Sequence, residues 1–201
     1  MIGVRGDALR RVVPEAFDAW RPAWSRDGHW LYFSSNRTGA VNLWKALVDG
    51  SEHAVQVTRG VGFDAAESAD GKLYFFDEGG RWQGDVALNG STLWSMPVAG
   101  GPRSAVLQGV QPTRWAMVDK GIYFLDMGSE VPGRPTAKAV KFFSFASRQI
   151  EEIVVLDKKS LPSWKANSYA GSLSVSPDGR WLIWPQWDRD DSDLMLLDNF
   201  R

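Results

Sequence analysis

Residues 22–39 read PAWSRDGHWLYFSSNRTG, two short strands folded about a turn. The aromatic and branched run Trp30-Leu31-Tyr32-Phe33 has the composition of a strand. Asp can hydrogen-bond the backbone ahead of it and tolerates left-handed angles, and Gly takes a positive φ without steric cost. Asp27-Gly28 therefore predicts a tight hairpin. Alone this would be one hairpin in an unknown fold; recurring at a fixed interval it means a repeat architecture.

It recurs. Asp70-Gly71 stands in AESADGKLYFF, a worn Asp119-Lys120-Gly121 in MVDKGIYFL, and Asp178-Gly179 in SVSPDGRWLIW, so the turn aspartates lie 43, 49 and 59 residues apart. These intervals bracket the roughly 40 to 50 residues of a four-stranded propeller blade. Each copy continues with a polar turn and a third strand, at 42–46, 92–96, 141–145 and 193–197, and three copies add a fourth, at 54–58, 103–107 and 150–156. The expected fold is all-β, a β-propeller of four four-stranded repeats, with blades at about 21–59, 60–109, 110–157 and 161–201. The last copy lacks a fourth strand, and residues 8–13, ALRRVV, form a spare one. Propellers commonly close by lending a terminal strand to the blade at the other end, which removes exposed edges. Residues 8–13 are thus expected beside 193–197 in a closed four-bladed ring. In the alternative, an arc of a larger ring, they are left over from a preceding blade.

Composition narrows the function classes. Hydrophobic residues make up 44% and charged residues 23% of 201 residues, as in ordinary globular proteins, and no apolar run reaches the roughly 20 residues of a membrane span. The net charge is −1 and Arg10-Arg11 is the longest basic run, so no nucleic-acid footprint is present. With no cysteine, disulfides and thiolate catalysis are excluded. Eleven Trp and ten Phe stand against two His, His29 and His53, both in turn sequences, and no Gly-x-Ser-x-Gly elbow occurs. No catalytic residue is therefore assigned. The acidic run at 188–193 lacks the Gly and distal Glu of a calcium loop and reads as a solvated turn, and no Gly-rich phosphate loop leads into a helix. No metal or cofactor is expected.

The first strand of each propeller blade lines the central channel. Three residues before the turn Asp, the four copies place Trp24, Glu67, Ala116 and Val175. Glu67 is the one carboxylate among them. It either hydrogen-bonds a neighbouring blade's backbone or meets water, or it forms with Asp64, Arg114 and Trp115 a ligand-facing patch. Trp24, Trp30, Trp44, Trp94, Trp181 and Trp184 recur on strand positions and are expected in the core. Trp82, Trp164 and Trp187 fall outside the pattern and are candidates for a surface partner. Residues 127–138, MGSEVPGRPTAK, read as a projecting loop.

The stretch PAWSRDGHWLYFSSNRTG, with NLWKALVDG and AVQVT after it, resembles the TolB-like, WD-repeat-like propellers of bacteria, and the tail GSLSVSPDGRWLIWPQWDRDDSDLMLLDNFR is similar to the C-terminal end of large bacterial proteins carrying such propellers. The resemblance covers nearly the whole chain from Pro22. Arg26 and Ala69 stand where the repeat favours Pro, and the third copy has lost its Ser. The resemblance implies a periplasmic or extracytoplasmic scaffold or sensory module that binds a protein or peptide; with Met1 as the true start the compartment would be the cytoplasm. The alternative is the regulatory propeller of a larger protein: a prolyl-oligopeptidase-like peptidase, a receptor-type kinase or a winged-helix transcriptional regulator.

Overall fold

The computed structural model describes residues 10–13, 17–51, 53–77, 91–126, 139–156, 173–188 and 191–198. Among these the secondary structure consists of strands only, arranged as four antiparallel sheets in chain order. The first sheet is β1 (Ala19–Trp24), β2 (Trp30–Ser35), β3 (Asn42–Leu47) and β4 (Val55–Gln56). The second is β5 (Phe63–Glu67), β6 (Lys72–Phe76), β7 (Ser91–Pro97) and β8 (Ser104–Val110). The third is β9 (Trp115–Val118), β10 (Gly121–Asp126), β11 (Ala139–Ser144) and β12 (Ile150–Val155), and the fourth is β13 (Ser174–Val175), β14 (Trp181–Asp188) and β15 (Asp191–Asp198). Every sheet is an up-and-down meander, the repeat unit read from the Asp-Gly spacing.

The tight hairpins expected at the turns take two forms. In the first copy Ser25 and Trp30 still pair, through Ser25 N–H to the Trp30 carbonyl at 2.9 Å, which leaves a four-residue loop, 26–29. Inside it Gly28 N–H donates to the Ser25 carbonyl at 3.0 Å, and Gly28 holds φ +72°. The Ser25 hydroxyl donates to Asp27 Oδ1 at 2.6 Å and accepts from Trp30 N–H at 2.8 Å, filling the loop with one buried group. The same hydroxyl bridge is built by Ser68 and Asp70 at 2.5 Å and by Ser176 and Asp178 at 2.5 Å. The third copy, without the Ser, forms the two-residue turn: Val118 pairs directly with Gly121 across Asp119-Lys120. Its glycine has a different task. A Cβ on Gly121 would lie 2.1 Å from the Phe143 carbonyl oxygen and 2.5 Å from the Phe142 ring, so only Gly lets β10 approach β11 there.

The chain divides into two compact units, residues 1–79 with 94–104, and 80–93 with 105–201. In the first unit the inner strands β1 and β5 lie side by side, and Tyr32, Leu43, Ala65, Leu73, Phe75 and Met96 form one buried cluster between their sheets. In the second, β9 and β13 are neighbours, with Leu125, Val140, Leu173, Leu182 and Trp184 buried between the third and fourth sheets. Large side chains thus fill the spaces between blades, where a stack of twisted sheets hides its apolar faces from water.

Among the described residues the fourth sheet is β13-β14-β15, and residues 10–13 form no strand. Val12 packs on the first sheet beside Phe33, Trp44 and Ala46, with Val13 against the same cluster, while the Arg10 guanidinium donates to the Val48 and Asp49 carbonyls. Val12 and Val13 thus cover a face of the first sheet. Residues 8 and 9 lie outside those described. Much of the acidic run 188–193 is strand rather than turn, with Asp188 opposite Asp191 and Gln186 opposite Asp193.

Candidate functional site

The residue three places before the turn Asp is where the inner strands differ most. Trp24 ends β1 with 54% of its surface exposed, against the expectation of a core position. Trp44 and Trp184, at 8% and 4%, are buried as expected. The difference follows from register. Trp24 pairs with Leu31 on the face of the first sheet that carries Phe33, whereas Ala23 pairs with Tyr32 on the face turned to the second sheet.

Glu67, the equivalent residue of β5, is half-buried and accepts a hydrogen bond from the Tyr32 hydroxyl at 3.2 Å. The neighbouring-blade partner of Glu67 is thus a side chain, where the sequence reading weighed backbone. Tyr32 keeps 1% of its surface, and burial first, then the Glu67 charge, push its phenol up from the ordinary value. It stays a neutral donor, and the carboxylate is held from the blade side with its remaining lone pairs available.

Asp64 sits on the same strand at a β-bulge. The β5–β6 register shifts between Phe63 and Ala66, and Asp64 takes φ +55°. Arg21, with φ +56°, occupies the matching bulge of β1 between Trp20 and Ala23. Thr113, φ +70°, precedes β9 at the same offset of six residues before the turn Asp. This recurring left-handed residue is a feature that sequence reasoning missed. The signal it depended on, a glycine at φ > 0, is absent, because Arg, Asp and Thr are held there by the strands on either side. Bulges re-aim side chains at the rims of sheets.

In the second unit Arg114 is half-buried, and loss of water pulls its guanidinium down to about 10, still cationic at neutral pH. Its amide donates to the Gln111 carbonyl at 3.2 Å. Trp115 is buried at 8% and pairs with Phe124. Gln111, which the sequence reading passed over, is 1% exposed, and neither its amide nitrogen nor its oxygen has a hydrogen-bond partner among the described residues. A buried amide without partners is a place for a bound water or polar ligand atom. Trp82, Trp164, the loop 127–138 and the side chain of Trp187 lie outside the described residues.

His29 and His53 are exposed on turns, and no group of three or more His, Asp or Glu able to hold a metal occurs among the described residues. No helix there is long and apolar enough to cross a membrane.

No family model matches the chain. Thirty residues, 15% of the chain and 10% of the relative, are 53% identical to an uncharacterized protein of Agrobacterium fabrum. Among solved structures, TolB from Acinetobacter baumannii superposes with a TM-score of 0.66 at 14% identity over 98% of this chain and 45% of that one. The fold is that of the TolB-like β-propellers. The propeller is also similar to a chain of a nidogen/laminin complex, TM-score 0.59 at 12% identity, over 92% of this chain and 66% of that one. A puromycin-hydrolyzing peptidase of Mycobacterium tuberculosis matches at a TM-score of 0.61 and 13% identity, over 93% of this chain and 30% of that one. The chain spans less than half the length of the TolB it matches.

Proposed function

We propose that this propeller is a non-catalytic module that binds a protein or peptide through its inner strands, with Trp24, Asp64 and Glu67 of the first unit as contacts. The observation that carries this reading is Trp24, an aromatic ring more than half exposed at a strand position whose equivalents Ala116 and Val175 are small or apolar and partly covered. Large aromatics are enriched at binding hot spots because they bury much area with little loss of conformational freedom. The carboxylate of Glu67, held by Tyr32, adds a fixed acceptor on the adjacent inner strand. The likeness to TolB and to a chain of a nidogen/laminin complex supports a protein-binding role.

The test is affinity capture from extracts of the source cells, with wild type beside Trp24→Ala and Glu67→Gln chains of unchanged melting temperature. Partners retained by wild type and lost from both variants are expected. Capture indifferent to both substitutions would sink the inner-strand reading. A second reading, the regulatory propeller of a multidomain enzyme, is favoured by the match to about a third of a peptidase. Under it, the natural protein in an immunoblot would run several times heavier than the 22.4 kDa of this chain.

A further inference from the structure

A cleft of about 390 Å³ opens in the first unit between the link 57–61, which leads from β4 to β5, and the turn from β7 to β8. Its floor is apolar: Phe75 and Met96 are buried at 1% and 8%, and Val57 packs against the same cluster. Its rim carries Val61, 38% exposed, and two cations, Arg59 and Arg103, with no carboxylate among the described lining residues. Arg103 is pre-set. Its guanidinium lies 4.1 Å from the Trp94 ring centroid, and Nη1 reaches Asp77 Oδ2 at 3.0 Å. A stacked, ion-paired guanidinium loses little freedom when it takes up another acceptor, and its five donors exceed what one carboxylate oxygen uses. A Cβ at Gly60 or Gly100 would meet nothing within 4 Å, so the backbone on both sides of the cleft is open to a visitor.

We infer that this cleft is a docking site for an extended peptide segment bearing a carboxylate flanked by aliphatic side chains, with Arg59 and Arg103 taking the carboxylate and Val57, Phe75 and Met96 the aliphatic groups. Charge complementarity selects this occupant. Two cations above an apolar floor suit one acidic side chain with hydrophobic neighbours, whereas a nucleic-acid backbone calls for a longer basic track and no floor of this kind. The volume lies at the lower end of ligand pockets, about 300 to 1,000 Å³, which holds two or three side chains. The adaptable thioether of Met96 suits a site that admits more than one aliphatic shape. The inference rests on the protein- or peptide-binding reading above, at a surface apart from the inner strands.

The experiment is fluorescence anisotropy of the whole chain with three labelled peptides that share glycine flanks and differ at the centre: Leu-Glu-Leu, Leu-Gln-Leu and Leu-Lys-Leu. The acidic peptide is expected to bind about tenfold tighter than the amide one, the worth of a charge-assisted hydrogen-bonded pair, and more weakly as salt rises. Arg59 is exposed, so Arg59→Gln is expected to keep the fold, checked by its melting curve, and should erase most of that preference. Arg59→Glu should transfer it to the Lys peptide. Arg103→Gln tests the second cation, with its melting curve as the control for the lost Trp94 stack. Equal affinity for the acidic and amide peptides, or a preference that survives Arg59→Glu, overturns the cleft. A peptide array separates this failure from that of the broader reading: capture without acidic preference leaves the module a peptide binder and removes only this site, while capture of no peptide, together with no partner from extracts, removes both.

Discussion

The first and third hairpins of this propeller occupy the same place in their sheets and close in opposite ways. At Ser25-Arg26-Asp27-Gly28 the turn is a small hydrogen-bonded body of its own, with a buried serine hydroxyl joining the aspartate to the returning strand and a glycine in the left-handed region with open space around it. At Asp119-Lys120-Gly121 there is no such body. The turn shrinks to two residues, and its glycine is demanded by the neighbouring strand, through the Phe143 carbonyl and the Phe142 ring. The turn glycine answers in one case to backbone conformation and in the other to packing.

The sharpest way to break that comparison is to add one methyl group to each glycine. Gly121→Ala is expected to cost about 3 kcal/mol or more, since backbone lies in the way and overpacking against it cannot relax cheaply. Gly28→Ala should cost about 1 to 2 kcal/mol, the strain of a left-handed alanine in open space. Urea unfolding midpoints decide it, and equal losses would show that Gly121 is merely another turn residue.

Removing the hydroxyl tests the other half. Ser25→Ala and Ser68→Ala each strip a buried group that serves two partners, and about 1 to 2 kcal/mol of stability should go with it. Met117→Ser, which restores the motif's serine to the third copy, should bring no gain, because Met117 pairs with Ile122 in the ladder and the two-residue turn leaves no loop to fill. A stabilised Met117→Ser chain would mean that the third turn is a damaged copy rather than a different solution.

Acid sharpens the comparison further. The Ser25 hydroxyl and then the His29 amide hold the Asp27 carboxyl below its ordinary 3.8; Lys72 and then Ser68 do so for Asp70; Ser176 and then the Arg180 amide do so for Asp178. A carboxyl depressed by folding contributes stability that is fully present above 3.8 and is lost as pH falls through its lower folded value. In Ser25→Ala the Asp27 titration followed by carboxyl NMR should move up toward 3.8; an unmoved Asp27 would assign the depression to the backbone alone.

The smallest effect concerns the bulges. Thr113→Gly should raise stability by up to about 1 kcal/mol, since a branched residue at φ +70° gives up more to strain than glycine gives up to entropy. A loss there would mean that the threonine side chain holds the link to β9 in place.

Much of this fold was legible in the chain. The Asp-Gly spacing marked the repeats, and alternating aromatic and branched runs placed the third strands at 42–46, 92–96 and 193–197, within β3, β7 and β15 as observed. These signals are local, carried by turn chemistry and a two-residue period. Glu67 could be singled out because it breaks an otherwise apolar column, but its partner could not, since Tyr32 stands 35 residues away and reaches it only when two sheets stack. The same stacking decided which face of β1 is covered, turning Ala23 inward and leaving Trp24 in the open. Val12 was read as a strand residue from its apolar neighbours, yet what it covers depends on where the first sheet has an open face. Sequence by itself determined the repeat, its turns and its strands, because those depend on residues a few places apart; only the tertiary structure decided which carboxylate is held, which ring is bare and which glycine is crowded, because each of these is set by atoms that the chain brings together from another sheet or strand.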